Sequence, residues 1–205
     1  MALFKKILKW AGIILLLAFL VLVGFRLKYH IDLEKTNEQV AKIHATKLTL
    51  DDVMGKNLPP DPGEAADDTV AGIDVNTNGI RDDVELAIFK VYPNSPKTRA
   101  PLLQYALSLQ MEFTQPFINK GVVTAVAEEW SRAGDCVADS LVPRKSPESS
   151  RVYKDIEKIN SYTDFVEKIH LNTSEREDAQ TKFYEGKLGS FTFQDGCDVD
   201  ASLLK

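Results

Sequence analysis

The chain has 205 residues, 25 Lys and Arg against 30 Asp and Glu, 44% apolar residues, 9 Pro, 11 Gly and 2 Cys. That length suits one modest domain with an appendage and excludes a TIM barrel or a large multidomain enzyme. The charge is uneven: residues 1–30 carry Lys5, Lys6, Lys9, Arg26 and Lys28 and no acid, which leaves 20 basic and 30 acidic residues beyond them, a balance unsuited to nucleic acid, whose phosphates are bound by cationic side chains.

Trp10 to Phe25 reads WAGIILLLAFLVLVGF, and Arg26 and Leu27 extend the apolar run to residue 27. As a helix these residues span roughly 27 Å, enough for a thin hydrocarbon core. Lys9 and Arg26 can snorkel to the headgroups, and Trp10 suits the interface. The best small-residue cleavage candidate, Leu22-Val23-Gly24, is poor and is followed at once by Arg26 and Lys28. The segment therefore reads as an uncleaved anchor, touching lipid through residues 10–27, rather than as a signal peptide. Basic residues are denser before it than after it, which places the N-terminus in the cytoplasm. The body is then expected in the periplasm or outside the cell, on a single-pass protein of a bacterial inner membrane. Cys136 and Cys197 form an even pair in that oxidising setting. A bridge between them closes a loop of about sixty residues and is worth roughly 4 kcal/mol on the chain-entropy account; two buried thiols are the alternative.

The organisation read from the chain is a cytoplasmic tail and anchor over 1–28, a juxtamembrane helix or stalk over 29–56, a Pro-rich loop over 57–73 and a helical domain over 74–205. Lys47 to Leu50 alternates, as does Ser190 to Gln194, and the two are expected to form one short two-stranded β pairing. Pro59, Pro60 and Pro62 predict an extended loop. Asp82 to Val91 is the first predicted helix of the domain. Asn94-Ser95-Pro96 supplies the next start. Leu102, Ala106, Leu109, Phe113 and Phe117 then share a face, and Pro116 is expected to kink or end that helix. Val122, Val126, Trp130, Ala133, Val137 and Leu141 form a second stripe; Val152, Ile156, Ile159, Val166 and Ile169 form a third. Asn172 and Glu175 read as a capping box before a shorter helix through Lys187, stopped by Gly186 or Gly189. These stripes need one another for burial, so the fold class is mainly α: a transmembrane helix followed by a small helical bundle.

Residues 74–85 read Asp-Val-Asn-Thr-Asn-Gly-Ile-Arg-Asp-Asp-Val-Glu. The spacing D-x-[DN]-x-[DN]-G-x5-E suits calcium, which takes six to eight hard oxygens. Alternate residues of a tight loop can turn oxygens inward, so Asp74, Asn76 and Asn78 offer three. Gly79 permits the turn, Ile80 offers its carbonyl, Asp82 acts directly or through water, and Glu85 closes the shell from the next helix. Five constrained positions make a chance match in a chain this size rarer than about one in a thousand. A capped, metal-free Asx turn is the alternative.

This stretch resembles the calcium loop of the EF-hand family over twelve residues and the helix that follows. It departs from paired EF-hands in lacking room for an entering helix and in placing Arg81 at the normally apolar eighth position. It is more similar to the lone loops of dockerin and thrombospondin type-3 repeats. That resemblance implies a structural Ca2+ site of modest affinity, filled outside a cell, rather than a switch.

No nucleophile elbow, P-loop, dinucleotide fingerprint or zinc-protease motif occurs. His30, His44 and His170 are scattered, and a histidine beside a helix end, as His170 is, is expected to complement the dipole. Glu128-Glu129 reads as a solvated acidic face. Asp195, Asp198 and Asp200 around Cys197 read as a turn near a disulfide. The expectation is a protein-binding or envelope accessory module without enzymatic activity, its partner unnamed by the sequence. A calcium-responsive regulator is one alternative. A cell-wall hydrolase is another; it would need a deep pocket holding two carboxylates, one with a raised pKa.

Overall fold

The computed structural model describes residues 1–146, 149–190 and 196–204. Seven helices follow in order: α1 (Ala2–Ala45), α2 (Leu50–Met54), α3 (Asp82–Val91), α4 (Pro96–Thr114), α5 (Lys120–Leu141), α6 (Tyr153–His170) and α7 (Ser174–Tyr184), with short 3-10 turns at Gly63–Asp67 and Ala201–Leu203. The chain divides into two compact units, residues 1–39 and 40–205.

The first unit is the greater part of α1. Its best window has a mean hydropathy of 2.5, and none of that window is buried by protein. Leu8, Ile14, Leu15, Leu16, Leu17, Phe19 and Leu22 all stand exposed. Water cannot solvate so continuous an apolar helix at low free energy, whereas a bilayer can. Among the described residues this is the one helix long and apolar enough to cross a membrane.

The second unit is built round α4, which packs against α2, α3, α5, α6 and α7. The single-face stripe expected of α4 understates its position, because every residue from Arg99 to Glu112 is buried. Its polar side chains consequently find partners inside. Gln110 Nε2 donates to Ala71 O at 2.6 Å, and Gln104 Oε1 accepts from Asp198 N at 2.8 Å. The helix starts at Pro96 with Ser95 as its cap residue, and it ends at Thr114, before Gln115 turns extended ahead of Pro116. The Ser95 hydroxyl bonds Thr98 Oγ1 at 2.8 Å rather than a backbone N–H.

On α5, Val122, Val126, Ala133 and Val137 are buried as their spacing requires, while Trp130 remains 41% exposed. On α6 only the C-terminal half is committed: Val166 is buried, but Val152 and Ile156 are exposed. The capping box expected of Asn172 and Glu175 does not form, and the cap falls one residue later. Thr173 is the N-cap of α7 and accepts from Arg176 N at 3.3 Å. Asn172 is held elsewhere, donating to Asp67 Oδ1 at 3.0 Å. The helix stops at Tyr184, three residues early, with Gly186 beyond it at φ 65°.

The described residues contain no strand, so the expected β pairing is not present among them. Leu48 is buried, but Thr49 caps α2 in a reciprocal box with Asp52, and the backbone becomes helical at Leu50. Of the other expected strand, residues 191–194 lie outside the described residues. The Pro-rich loop has no regular structure at Pro59 and Pro60 and then tightens into the 3-10 turn at Gly63–Asp67. The compact unit already begins at Val40: Ile43, Leu48 and Val53 all lie in its core.

Three arginines hold the long connections to the helices. Arg99 donates to the carbonyls of Val53, Tyr92 and Pro93 and lies 4.5 Å over the Phe89 ring. Arg176, its side chain fully buried, donates to the carbonyls of Ala66, Thr69 and Val70 and to Asp67. Arg81 does the same at the end of α6. Buried loop carbonyls need donors, and one guanidinium supplies five.

Candidate functional site

The loop over 74–85 follows from its short polar side chains. Asp74 Oδ1 accepts from Asn78 N at 3.2 Å, and Asp74 Oδ2 from Gly79 N at 2.9 Å. Asn76 Oδ1 accepts from Asn78 N at 3.3 Å, and Asn78 Oδ1 from Ile80 N at 2.9 Å. Each of these oxygens captures an N–H two to five residues on, which winds the chain into successive Asx turns. The positions alternate: Val75 and Thr77 are exposed, whereas Asp74, Asn76 and Asn78 are turned partly inward. Gly79 has φ 85°, and a Cβ there would lie 2.7 Å from Leu107 Cδ1. Only glycine meets both requirements.

The exit side is buried. Ile80, Asp82 and Glu85 are each at most 1% exposed. Asp82 turns its carboxylate to Val75 N, 3.1 and 3.2 Å from its two oxygens, and burial raises its pKa. Glu85 Oε2 accepts from Asn76 Nδ2 at 3.0 Å. Burial pushes Glu85 up to about 7, opposed by the neighbouring asparagine amides and assisted by repulsion from Asp52 and Asp82. No ion pair among the described residues reaches Asp74, Asp82 or Glu85. Asn78 Nδ2 is likewise buried without a hydrogen-bond partner.

Two facts bear on a metal. The residue set fits a hard cation: three carboxylates, two amides and the Ile80 carbonyl lie within one loop, and the buried Glu85 has acidic and neutral neighbours but no basic partner among the described residues. However, no three His, Cys, Asp or Glu side chains among the described residues converge as a metal-holding group by themselves. The carboxylates of Asp74 and Asp82 face backbone N–H groups, and Asn76 presents its amide nitrogen to Glu85. An ion in this loop would therefore draw on amide and carbonyl oxygens as well as carboxylates.

Arg81, at the eighth loop position, has a physical role that the sequence did not suggest. Its side chain is fully buried and pairs with Asp83 at 2.5 Å. Its Nη1 donates to His170 O at 3.0 Å, and its Nη2 to Ile169 O at 2.7 Å. These are terminal carbonyls of α6, where the helix dipole favours a cation. His170 is not the charged dipole partner expected of it: it is 1% exposed and stacked on Phe113 at 4.8 Å, and burial lowers it to about 3, so it is neutral.

A second polar centre replaces the solvated face expected at Glu128-Glu129. Glu129 is 3% exposed. Its Oε1 accepts from His44 Nδ1 at 2.8 Å. Its Oε2 accepts from Lys47 Nζ at 2.8 Å and from Arg132 Nε and Nη2 at 2.9 and 2.6 Å. Arg132 Nη2 also pairs with Asp198 Oδ1 at 2.7 Å. Burial would raise Glu129, but the bonds from Lys47, His44 and Arg132 outweigh it and hold the carboxyl below its ordinary range. Cys136 and Cys197 are disulfide-bonded across 61 residues, which fixes the segment carrying Asp198. Asp200 caps the 3-10 turn after it, accepting from Ser202 N at 2.8 Å, and Asp195 lies outside the described residues.

No family model matches the chain, and no curated protein and no solved structure matches it.

Proposed function

We propose that the chain is a single-pass membrane protein whose helical body faces the periplasm or the cell exterior, carries one structural calcium ion in the 74–85 loop and serves as a protein-binding accessory module of the envelope. The observation that carries the calcium part is Glu85: a buried carboxylate at the twelfth loop position, with no basic partner among the described residues and with Asp52 and Asp82 adding repulsion. Asp74, Asn76, Asn78, Asp82, Glu85 and the Ile80 carbonyl would hold the ion, and its charge would offset that burial. Such isolated sites fill at about 10⁻⁴–10⁻³ M calcium, a range met outside cells. The disulfide points to the same side of the membrane, since cytosolic reductants keep thiols reduced. A structural ion is favoured over a switch because Arg81 already clamps the loop to α6, whereas a sensor needs a helix pair free to open.

One feature favours an enzyme: a cavity lined by Glu112 and Glu167, with Glu112 raised to about 7. A general acid must aim a proton at its leaving group. Both oxygens of Glu112 instead accept from protein donors, an arrangement suited to holding charge. The topology is tested in bacterial spheroplasts with an epitope tag after Lys205. External protease is expected to remove the tag, and survival of the tag until the membrane is permeabilised would contradict the reading. Cross-linking in intact cells is expected to give a discrete adduct of this chain; recovery of the chain alone would remove the protein-binding part.

A further inference from the structure

The bundle contains a second chemically distinct place, remote in sequence from the loop. A cavity of about 420 Å³ lies among α4, α5, α6 and α7, bounded by Leu109, Trp130 and Leu188 and by the acids Glu112 and Glu167. That volume lies within the range of small-molecule sites, and apolar walls with a few converging polar groups are their usual construction. Trp130 and Leu188 are 41% and 52% exposed, so the apolar wall reaches solvent.

The acids are set as acceptors. Glu112 is 5% exposed. Its Oε1 accepts from Tyr184 OH and its Oε2 from Gln180 Nε2, each at 2.8 Å. Glu167 accepts from Tyr105 OH, which itself accepts from Trp130 Nε1 at 3.0 Å. No Lys, Arg or His is among the described residues lining the cavity, and no ion pair among the described residues reaches either acid. Burial, with repulsion from Glu167, raises Glu112 to about 7. Two partly desolvated carboxylates without a counter-charge are costly, and a cation entering between apolar walls relieves that cost.

We propose that this cavity binds an alkylammonium group, its charge taken by Glu112 and Glu167 and its apolar stem by Leu109, Trp130 and Leu188. Charge and shape select that class. A divalent metal needs six or more oxygens, which walls of this composition do not supply. A guanidinium is best held by an open bidentate carboxylate, and both Glu112 oxygens are already engaged. An ammonium is a compact charge with three rotatable donors, able to address two separate acids. The Trp130 ring adds cation–π attraction. A free amine and the lysine side chain of a partner protein share this chemistry. The site stands independently of the calcium loop.

The test is calorimetric titration of the full chain in detergent micelles at pH 8, with protein-free micelles as blank. The probes are n-butylammonium, n-butanol and a short capped peptide with one lysine. Butylammonium is expected to bind at one site per chain, with butanol roughly tenfold weaker or worse, the scale of one charged hydrogen bond. Glu112→Gln and Glu167→Gln are each expected to weaken butylammonium by a similar factor. Peptide binding at least as tight as the free amine assigns the cavity to a partner's lysine. Exclusion of the peptide while the amine binds assigns it to a free amine. Absence of binding by both ammonium probes overturns the proposal, as does binding that butanol matches and both variants leave unchanged. Should a variant fail to fold, butanol against butylammonium on the unaltered chain decides.

Discussion

Replacing Glu129 by alanine is expected to destabilise the body by about 3–5 kcal/mol, the range for removing one partner from a buried ion network. Glu129 is the shared acceptor of Lys47 and Arg132 and also takes His44 Nδ1. Without it Arg132 keeps only Asp198 and the Gly196 carbonyl, and Lys47 keeps only a 3.9 Å approach to Asp198. The loss should lower the melting temperature by roughly 10 °C for a body of this size, read by circular dichroism of the full chain in micelles. Glu128 provides the control. Among the described residues its one ion pair is with His44, at 3.3 Å, so Glu128→Ala is expected to cost about 1 kcal/mol or less. Equal shifts for the two variants would contradict the assignment. The contribution of Glu129 also has a pH signature: a carboxyl held below its ordinary value of 4.5 stabilises fully above that value, and the benefit is lost as pH falls through the lowered one.

Opening the Cys136–Cys197 bridge, by Cys136→Ser with Cys197→Ser, is expected to cost about 4 kcal/mol from the loop released to the unfolded chain. A structural consequence accompanies it. The neighbour of Cys197, Asp198, accepts from Leu48 N at 2.9 Å and donates its own N–H to Gln104 at 2.8 Å. Loosening this segment weakens the Arg132–Asp198 pair and with it the Glu129 network. The cysteine pair and Glu129→Ala are therefore expected to combine to less than the sum of their separate losses. Hydrogen exchange at Leu48 should accelerate in the cysteine variant. Unchanged melting and exchange would show that the bridge carries no stability.

Much of the architecture is legible from residue spacing, because helix burial is periodic. The stripe through Val122, Val126, Ala133 and Val137 locates α5, and Ser95-Pro96 and Pro116 bracket α4. What the spacing could not show is that α4 is enclosed on every side. Its inward polar residues, Gln104, Ser108, Gln110 and Glu112, have the look of a solvated face, and only the tertiary partners Ala71, Asp198, Gln180 and Tyr184 reveal otherwise. The same blindness hid the cavity. Glu112 lies 55 residues from Glu167, and nothing local in the chain announces that two acids on different helices meet an apolar wall. A glutamate three residues after Leu109 and next to Phe113 was the one available signal.

Local chemistry fared differently in the loop. Asp74, Asn76, Asn78 and Gly79 form turns through bonds spanning two to five residues, so their pattern is visible in the sequence. Arg81 was visible only as a departure at the eighth position. Its role depends on the carbonyls of Ile169 and His170, supplied by a helix nearly ninety residues away. Glu129 was misread for a related reason: its partners His44 and Lys47 lie more than eighty residues before it, and adjacency to Glu128 suggested a surface instead.

The central claim is that one divalent cation belongs in the 74–85 turn. Calorimetric titration of calcium into the full chain in calcium-free micelles, beside Glu85→Gln, tests it most directly. The unaltered chain is expected to bind one ion at about 10⁻⁴–10⁻³ M and to melt at a higher temperature with calcium, and Glu85→Gln to do neither. Without calcium the variant should be at least as stable as the unaltered chain, since it lacks the buried charge. Absence of binding heat with melting unmoved by millimolar calcium would contradict the account and leave the loop a metal-free Asx turn.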